Sequence, residues 1–299
     1  MAGASPAEAI VVRNLWQVFP RKEGISISSA DVMDEQRVRE MDESDDTVVA
    51  MKDVCLTVYE GETFIIMGLS GSGKSTLIRC LLRLVEPTSG EVCILGHNVT
   101  AMGKRELVQF RREKISMVFQ HYGLLPHRTV ADNVAFGLKL RGEPEESRKE
   151  KVTWALETVG LTGWGKYYPS ALSGGMRQRV GIARALVMDA PILLMDEPFS
   201  GLDPMIRREL QDELIHLQRD MRKTIFFVTH DLSEALRMGD RMAIMRRGEI
   251  VQVGSPDEVV ANPADEYVAR FVSDEKEQFE RGRAFIGSGP GREATACVS

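Results

Sequence analysis

The stretch Gly68-Leu69-Ser70-Gly71-Ser72-Gly73-Lys74-Ser75-Thr76 has the spacing G-x-x-x-x-G-K-S, and the chemistry such a segment can do is phosphate binding. Its glycines let the backbone curl until successive N–H groups point at one anion, and a helix opening near Ser75 aims its positive end at the same place. Lys74 is then expected to reach the β- and γ-phosphates of a nucleotide, with the Ser75 hydroxyl as a ligand for Mg2+. About 120 residues later, four apolar residues run into Asp196 and Glu197. Asp196 is placed to hold the Mg2+ through water, and Glu197 is a candidate general base for the attacking water. Standing alone, an apolar strand ending in two acids is as readily structural; after a phosphate loop it is the expected partner. A third segment, Leu172-Ser173-Gly174-Gly175-Met176-Arg177-Gln178, precedes the helical run RVGIARALV. Adjacent glycines at a helix start make an anion-facing end, with Ser173 free to bond phosphate, although in isolation the same residues read as a simple helix cap.

The elements around these residues are those the chemistry needs. TFIIM reads as a short buried strand running into the glycine-rich turn, and STLIRCLLRLV as the helix after it, closed by Pro87 and Gly90. Strand-like segments recur at EVCIL, ISMVF, ILLMD, TIFFV and RMAIM with helical periods between several of them, which predicts an α/β fold around a largely parallel sheet. Residues 1–20 contain an edge strand, 21–47 an acidic insertion with a short helix, 48–275 the main domain with helices inserted at about 125–180, and 276–299 a disordered tail.

At 299 residues and 43% apolar the chain can bury a sizeable core. Residues 31–46 hold eight acids against two arginines, the whole of the net charge of −6, so no basic excess points to a nucleic-acid partner. The acidic stretch itself reads as a solvated face. Cys55, Cys80, Cys93 and Cys297 lack C-x-x-C spacing, which argues against zinc and a disulfide framework and for a reducing compartment. No secretion signal and no run of ~18 apolar residues is visible, so a cytosolic chain is expected, with any membrane role supplied by a partner.

Taken together, GLSGSGKST, LSGGMRQR and ILLMDEP resemble the ATP-binding cassette family over about residues 11–275. The resemblance implies a P-loop NTPase of that type, with an antiparallel N-terminal β subdomain beside the mostly parallel sheet. It implies ATP and Mg2+ as cofactors and a homodimer in which Ser173 and Gly175 of one copy close on ATP held by the other. Gln120, after ISMVF, fits the family glutamine that senses Mg2+ and water; Asp203 fits the loop coupling the two sites; His230 fits the switch histidine at the γ-phosphate. The family stacks an aromatic on adenine, for which Phe19 is preferred to Trp16, with core packing the alternative for Phe19.

The longer wording, such as MVFQHYGLLPHRTVADNVAFG and GDRMAIMRRGEIVQVGSPDEV, is similar to the glycine betaine, proline and choline uptake ATPases. That likeness implies a peripheral subunit on the cytoplasmic face of the cell membrane, bound to permease subunits and served by an extracytoplasmic binding protein. The loop 121–130, with Leu124, is the expected permease contact. Relatives often carry paired CBS domains after the cassette, which residues 276–299 are too short to form. The alternatives are an importer of another amino-acid-like solute and a soluble cassette ATPase in translation or repair. Paired cassettes or long coiled coils would mark the latter, and neither is seen. A regulatory module without turnover would lack the base or the switch residue, and Glu197 and His230 are both present.

Overall fold

The computed structural model describes residues 6–120 and 123–287. The chain opens with β1 (Glu8–Pro20), and the acidic insertion then folds into α1 (Glu35–Glu43) before β2 (Thr47–Tyr59) returns antiparallel to β1. Next come β3 (Thr63–Met67), the phosphate-loop turn and α2 (Lys74–Leu81). Strands β4 (Ser89–Ile94) and β5 (His97–Asn98) complete a four-stranded antiparallel sheet of order β2-β1-β4-β5. The sequence placed β1 at an edge; it is internal, because β4 pairs with its other side. Alternating burial shows that a strand has a covered face but not which strands flank it.

Helix α3 (Lys104–Lys114) leads into β6 (Ile115–Val118), after which the chain is helical: α4 (Val130–Val134), α5 (Phe136–Leu140), α6 (Glu145–Thr158) and α7 (Gly174–Leu186). The rest alternates as β7 (Ile192–Asp196), α8 (Pro204–Met221), β8 (Thr224–Val228), α9 (Leu232–Met238) and the hairpin β9 (Arg241–Arg246) and β10 (Glu249–Gly254). Two helices follow, α10 (Pro256–Ala261) and α11 (Glu266–Gly287). Strands β9, β3, β8, β7 and β6 lie parallel in that order, with β10 antiparallel at the edge, so the α/β fold with a mostly parallel sheet is observed.

The six-stranded sheet separates two cores. Phe64, Ile66, Leu194, Phe226 and Val228 face the antiparallel sheet, α2 and α3, whereas Ile65, Met67, Leu193, Met195 and Phe227 face the helices from α4 onward. Burial on both faces explains the near-continuous apolar runs of these strands.

One segment departs from the sequence reading. Helix α11 continues to Gly287, into the segment expected to be a disordered tail, because its buried first turns, with Val268, Phe271 and Val272, join the core and supply a seed from which the helix propagates; residues 288–299 lie outside the described residues. The insertion has its own small core of Val32, Met41 and Val18, with Trp16, Ile27, Val38 and Val49 against it. Asp34 caps α1 by accepting the N–H groups of Gln36 and Arg37, and Lys52 of β2 holds Asp42 at 2.6 Å. Asp34→Ala is therefore expected to cost α1 about 1 kcal/mol locally. Amide exchange over residues 36–43 should quicken with the global melting temperature unchanged, and unchanged exchange there would contradict the cap.

Candidate active site

Each strand of the trio β3, β8 and β7 hands the chain to the site at the same edge. Beyond β3 the turn at Gly68 has φ +150°, and a Cβ there would lie 2.3 Å from the Met245 carbonyl oxygen, so only glycine lets β9 approach the loop. The loop is further fixed by Gly248 N–H donating to the Ser72 carbonyl at 3.0 Å. Lys74 is 6% exposed and folds back to donate to the carbonyls of Gly68 and Leu69 at 2.7 and 3.0 Å. Burial lowers its pKa, and Glu197 and Asp196 oppose that shift.

Behind the loop, Ser75 Oγ donates to Asp196 Oδ1 at 3.1 Å. Burial raises the Asp196 pKa, partly offset by that hydrogen bond, so this carboxylate is costly to keep ionised without a cationic partner. Glu197, one residue on, has φ +47°, a left-handed backbone unusual for a side chain of its size, and its N–H donates to Val228 O at 2.9 Å. The turn presents its carboxylate to Gln120 Nε2 at 3.2 Å and His230 Nδ1 at 3.5 Å, both on Oε2. The bond to His230 holds the Glu197 carboxyl below its ordinary pKa, and the same bond holds the imidazole above its own.

These groups border a cleft of about 690 Å³ lined by Ser70 to Thr76, Gln120, Glu197, His230 and Phe19. Trp16, the other aromatic candidate, lines a separate hollow with Val38 and Cys55. Gly68 and Leu69 shape the loop without lining the cleft, and Asp196 lies buried beneath it. Ser173, Gly175 and Asp203 do not line it either. Ser173 caps α7, accepting Met176 N–H at 3.2 Å, and Asp203 caps α8, accepting from Met205 and Ile206.

Sequence reasoning missed the insertion's share of the wall. Asp42, Glu43, Ser44 and Asp45 line the cleft together with Arg21 and Arg247. The acidic run is solvated as expected, but charge alone carries no information about which opening it borders. Leu124, taken for an exposed loop residue, is half-buried against the core; its neighbours His121 and Tyr122 lie outside the described residues.

The cleft fits a phosphate and a hard cation. Ser72 Oγ is buried at its floor without a hydrogen-bond partner, an orphan that an anion or its hydration would satisfy. Among the described residues no group of three or more His, Cys, Asp or Glu is arranged to hold a metal. The hydroxyl–carboxylate pair Ser75 and Asp196 instead matches Mg2+, which keeps waters and substrate phosphates as its remaining ligands.

Comparison with known proteins decides the family. Residues 51–200 match the ABC transporter family. The chain belongs to it. The cassette is 54% identical over 226 residues, 76% of its length and 57% of the relative's, to the glycine betaine/carnitine transport ATP-binding protein GbuA of Listeria monocytogenes. It is 46% identical over 265 residues, 89% of its length and 77% of the relative's, to the trimethylamine N-oxide transport system ATP-binding protein TmoW of Ruegeria pomeroyi. The cassette thus spans about half the length of the betaine-transport relatives it matches. Among solved structures it is similar to the ATP-binding cassette MJ0796, a dimer in a post-hydrolysis state bound to ADP and Pi, with TM-score 0.72, 31% identity, and 83% of this chain and 98% of that one covered.

The Glu197–His230 pair has opposite pH limits. The lowered Glu197 pKa gives stability that is present above the ordinary carboxylate range and lost as pH falls through the folded value. The raised His230 pKa gives stability that is present below the ordinary imidazole range and lost as pH rises through the folded value. Glu197→Gln should therefore lower the His230 titration midpoint measured by NMR, and an unmoved midpoint would contradict the pairing.

Proposed function

We propose that this cassette is the ATP-hydrolysing subunit of an importer, energising uptake of a quaternary or methylated amine through a separate permease. The observation that carries the reading is the Glu197 carboxylate, which lines the phosphate-loop cleft just after β7 and is held ionised by His230, with Gln120 adding to it. An ionised carboxylate at that place can accept the proton of a water attacking a γ-phosphate in line. The amine class rests on the relatives, several of which are named as betaine, choline or trimethylamine N-oxide transport ATP-binding proteins.

ATP would lie with its base against Phe19 and its triphosphate along Ser70 to Thr76. Lys74 would exchange its two carbonyl acceptors, Gly68 and Leu69, for phosphate oxygens. The dipole of α2 and the loop N–H groups stabilise charge on the same oxygens. Ser75, Gln120 and Asp196 would hold Mg2+, which would supply Lewis-acid charge at the phosphates. His230 orients Glu197 and would meet the γ-phosphate. Ser173 and Gly175 act from a second copy, which accounts for their absence from the cleft of one chain and makes the homodimer the working unit. Asp203 couples the two sites in that dimer.

No helix among the described residues is long and apolar enough to cross a membrane. Docking to the cytoplasmic face of a permease and service by an extracytoplasmic binding protein belong to this proposal and rest on the transport names of the relatives. Purified with its permease in vesicles, the cassette should show ATP turnover stimulated by glycine betaine, choline or trimethylamine N-oxide with matching uptake. Stimulation by none of them, with another amino-acid-like solute active instead, would overturn the substrate class. Phe19→Ala should weaken ATP binding roughly tenfold with little change in kcat, since base stacking on an aromatic is worth about 1–3 kcal/mol; unchanged affinity would return Phe19 to a packing role.

A further inference from the structure

His230 lies in a tripeptide that is gripped on both sides. Thr229 Oγ1 donates to Glu234 Oε2 at 2.6 Å and accepts the Asp231 N–H at 3.0 Å, closing a loop around the histidine backbone. Asp231 in turn accepts Arg207 Nη1 at 3.0 Å, and the second oxygen of Glu234 accepts Gln211 Nε2 at 3.4 Å. Arg207 and Gln211 are four residues apart on α8 and so share one of its faces. That helix starts at the Asp203 cap, and Arg207 also donates to Leu202 O at 3.4 Å, in the turn just before it. A continuous set of hydrogen bonds therefore runs from the Asp203 turn to the residues on either side of His230.

Packing alone does not account for this arrangement. Thr229, Glu234 and Gln211 are 2%, 4% and 6% exposed, and burying a carboxyl in such a place costs free energy that a leucine would not. What the carboxyl offers is direction. As a carboxylate, Glu234 accepts the hydrogen bond of the Thr229 hydroxyl, whose oxygen in turn accepts the Asp231 N–H, so each donor has one acceptor. Burial pushes the Glu234 pKa up to about 7, with Asp231 adding to the rise and Arg207 and His230 opposing it.

We propose that Glu234, Arg207 and Gln211 are positioning residues that set His230 through Thr229 and Asp231, joining the imidazole to the Asp203 turn through α8. A second copy bearing on Asp203 is then felt at the Glu197–His230 pair of the same chain. The inference rests on the reading of His230 as the residue facing the γ-phosphate.

The test is ATPase kinetics of Thr229→Val, Thr229→Ser and Arg207→Ala, each alone and combined with His230→Ala. Thr229→Val keeps the shape and loses the hydroxyl, so kcat should fall about tenfold with KM for ATP within about twofold, and Thr229→Ser should restore it. Arg207→Ala, on a partly exposed side chain, should act in the same direction without unfolding the chain. With His230→Ala in place, neither substitution should lower kcat by more than about twofold further, since residues acting through one group are not additive. Equal losses with and without His230 would mean a purely structural role and would overturn the proposal. So would wild-type kcat in Thr229→Val and Arg207→Ala while His230→Ala is slow. Wild-type turnover by His230→Ala itself would overturn both this inference and the reading of the histidine on which it rests.

Discussion

The ladder of backbone hydrogen bonds across β3, β8 and β7 extends one residue past the strand ends, and the site depends on that extension. Thr229 N–H donates to Ile66 O at 3.1 Å and Glu197 N–H to Val228 O at 2.9 Å. Because the strands are parallel and adjacent, the residues after them emerge side by side: Gly68 and the loop from β3, His230 from β8, Glu197 from β7. An open parallel sheet gathers its functional groups outside the carboxyl ends of its strands for this reason. The left-handed turn at Glu197 is the local strain that this geometry sustains, and the ladder bond at its N–H is what sustains it.

The same constraint explains which parts of the site were legible in the sequence. The phosphate loop was readable because its spacing, its strand and its helix are contiguous, and Asp196 and Glu197 because four apolar residues announce the strand that ends in them. The cleft gathers Lys74, Ser75, Gln120, Glu197 and His230 as expected, although for Gln120 and His230 the expectation came from resemblance and not from spacing. What could not be read were contacts between residues far apart in the chain. Nothing in the residues around Arg207 or Glu234 says that α8 and α9 meet there. Nor does the charge of residues 42–45 say that they border the nucleotide-sized cleft. The internal position of β1 was hidden in the same way, since its second neighbour β4 lies some 70 residues downstream.

The insertion between β1 and β2 is integrated with the cassette. Its helix is capped, packed on a small core shared with Trp16 and Val18, and tied to β2 by the Lys52–Asp42 pair. Its last turn ends at the cleft that the phosphate loop also lines. The parallel sheet thus brings the phosphate loop, Glu197 and His230 to the cleft, and the antiparallel sheet and its insertion bring Phe19 and residues 42–45 to it.

ATP turnover by the purified cassette, wild type against Glu197→Gln, with native mass recorded under ATP and Mg2+, tests most directly whether Glu197 takes the proton of the attacking water. Turnover should fall by about a hundredfold or more in the variant, the usual scale for loss of a general base, and the variant should accumulate as a dimer held by ATP. Turnover that survives the substitution, or failure of both proteins to bind ATP, would contradict the account.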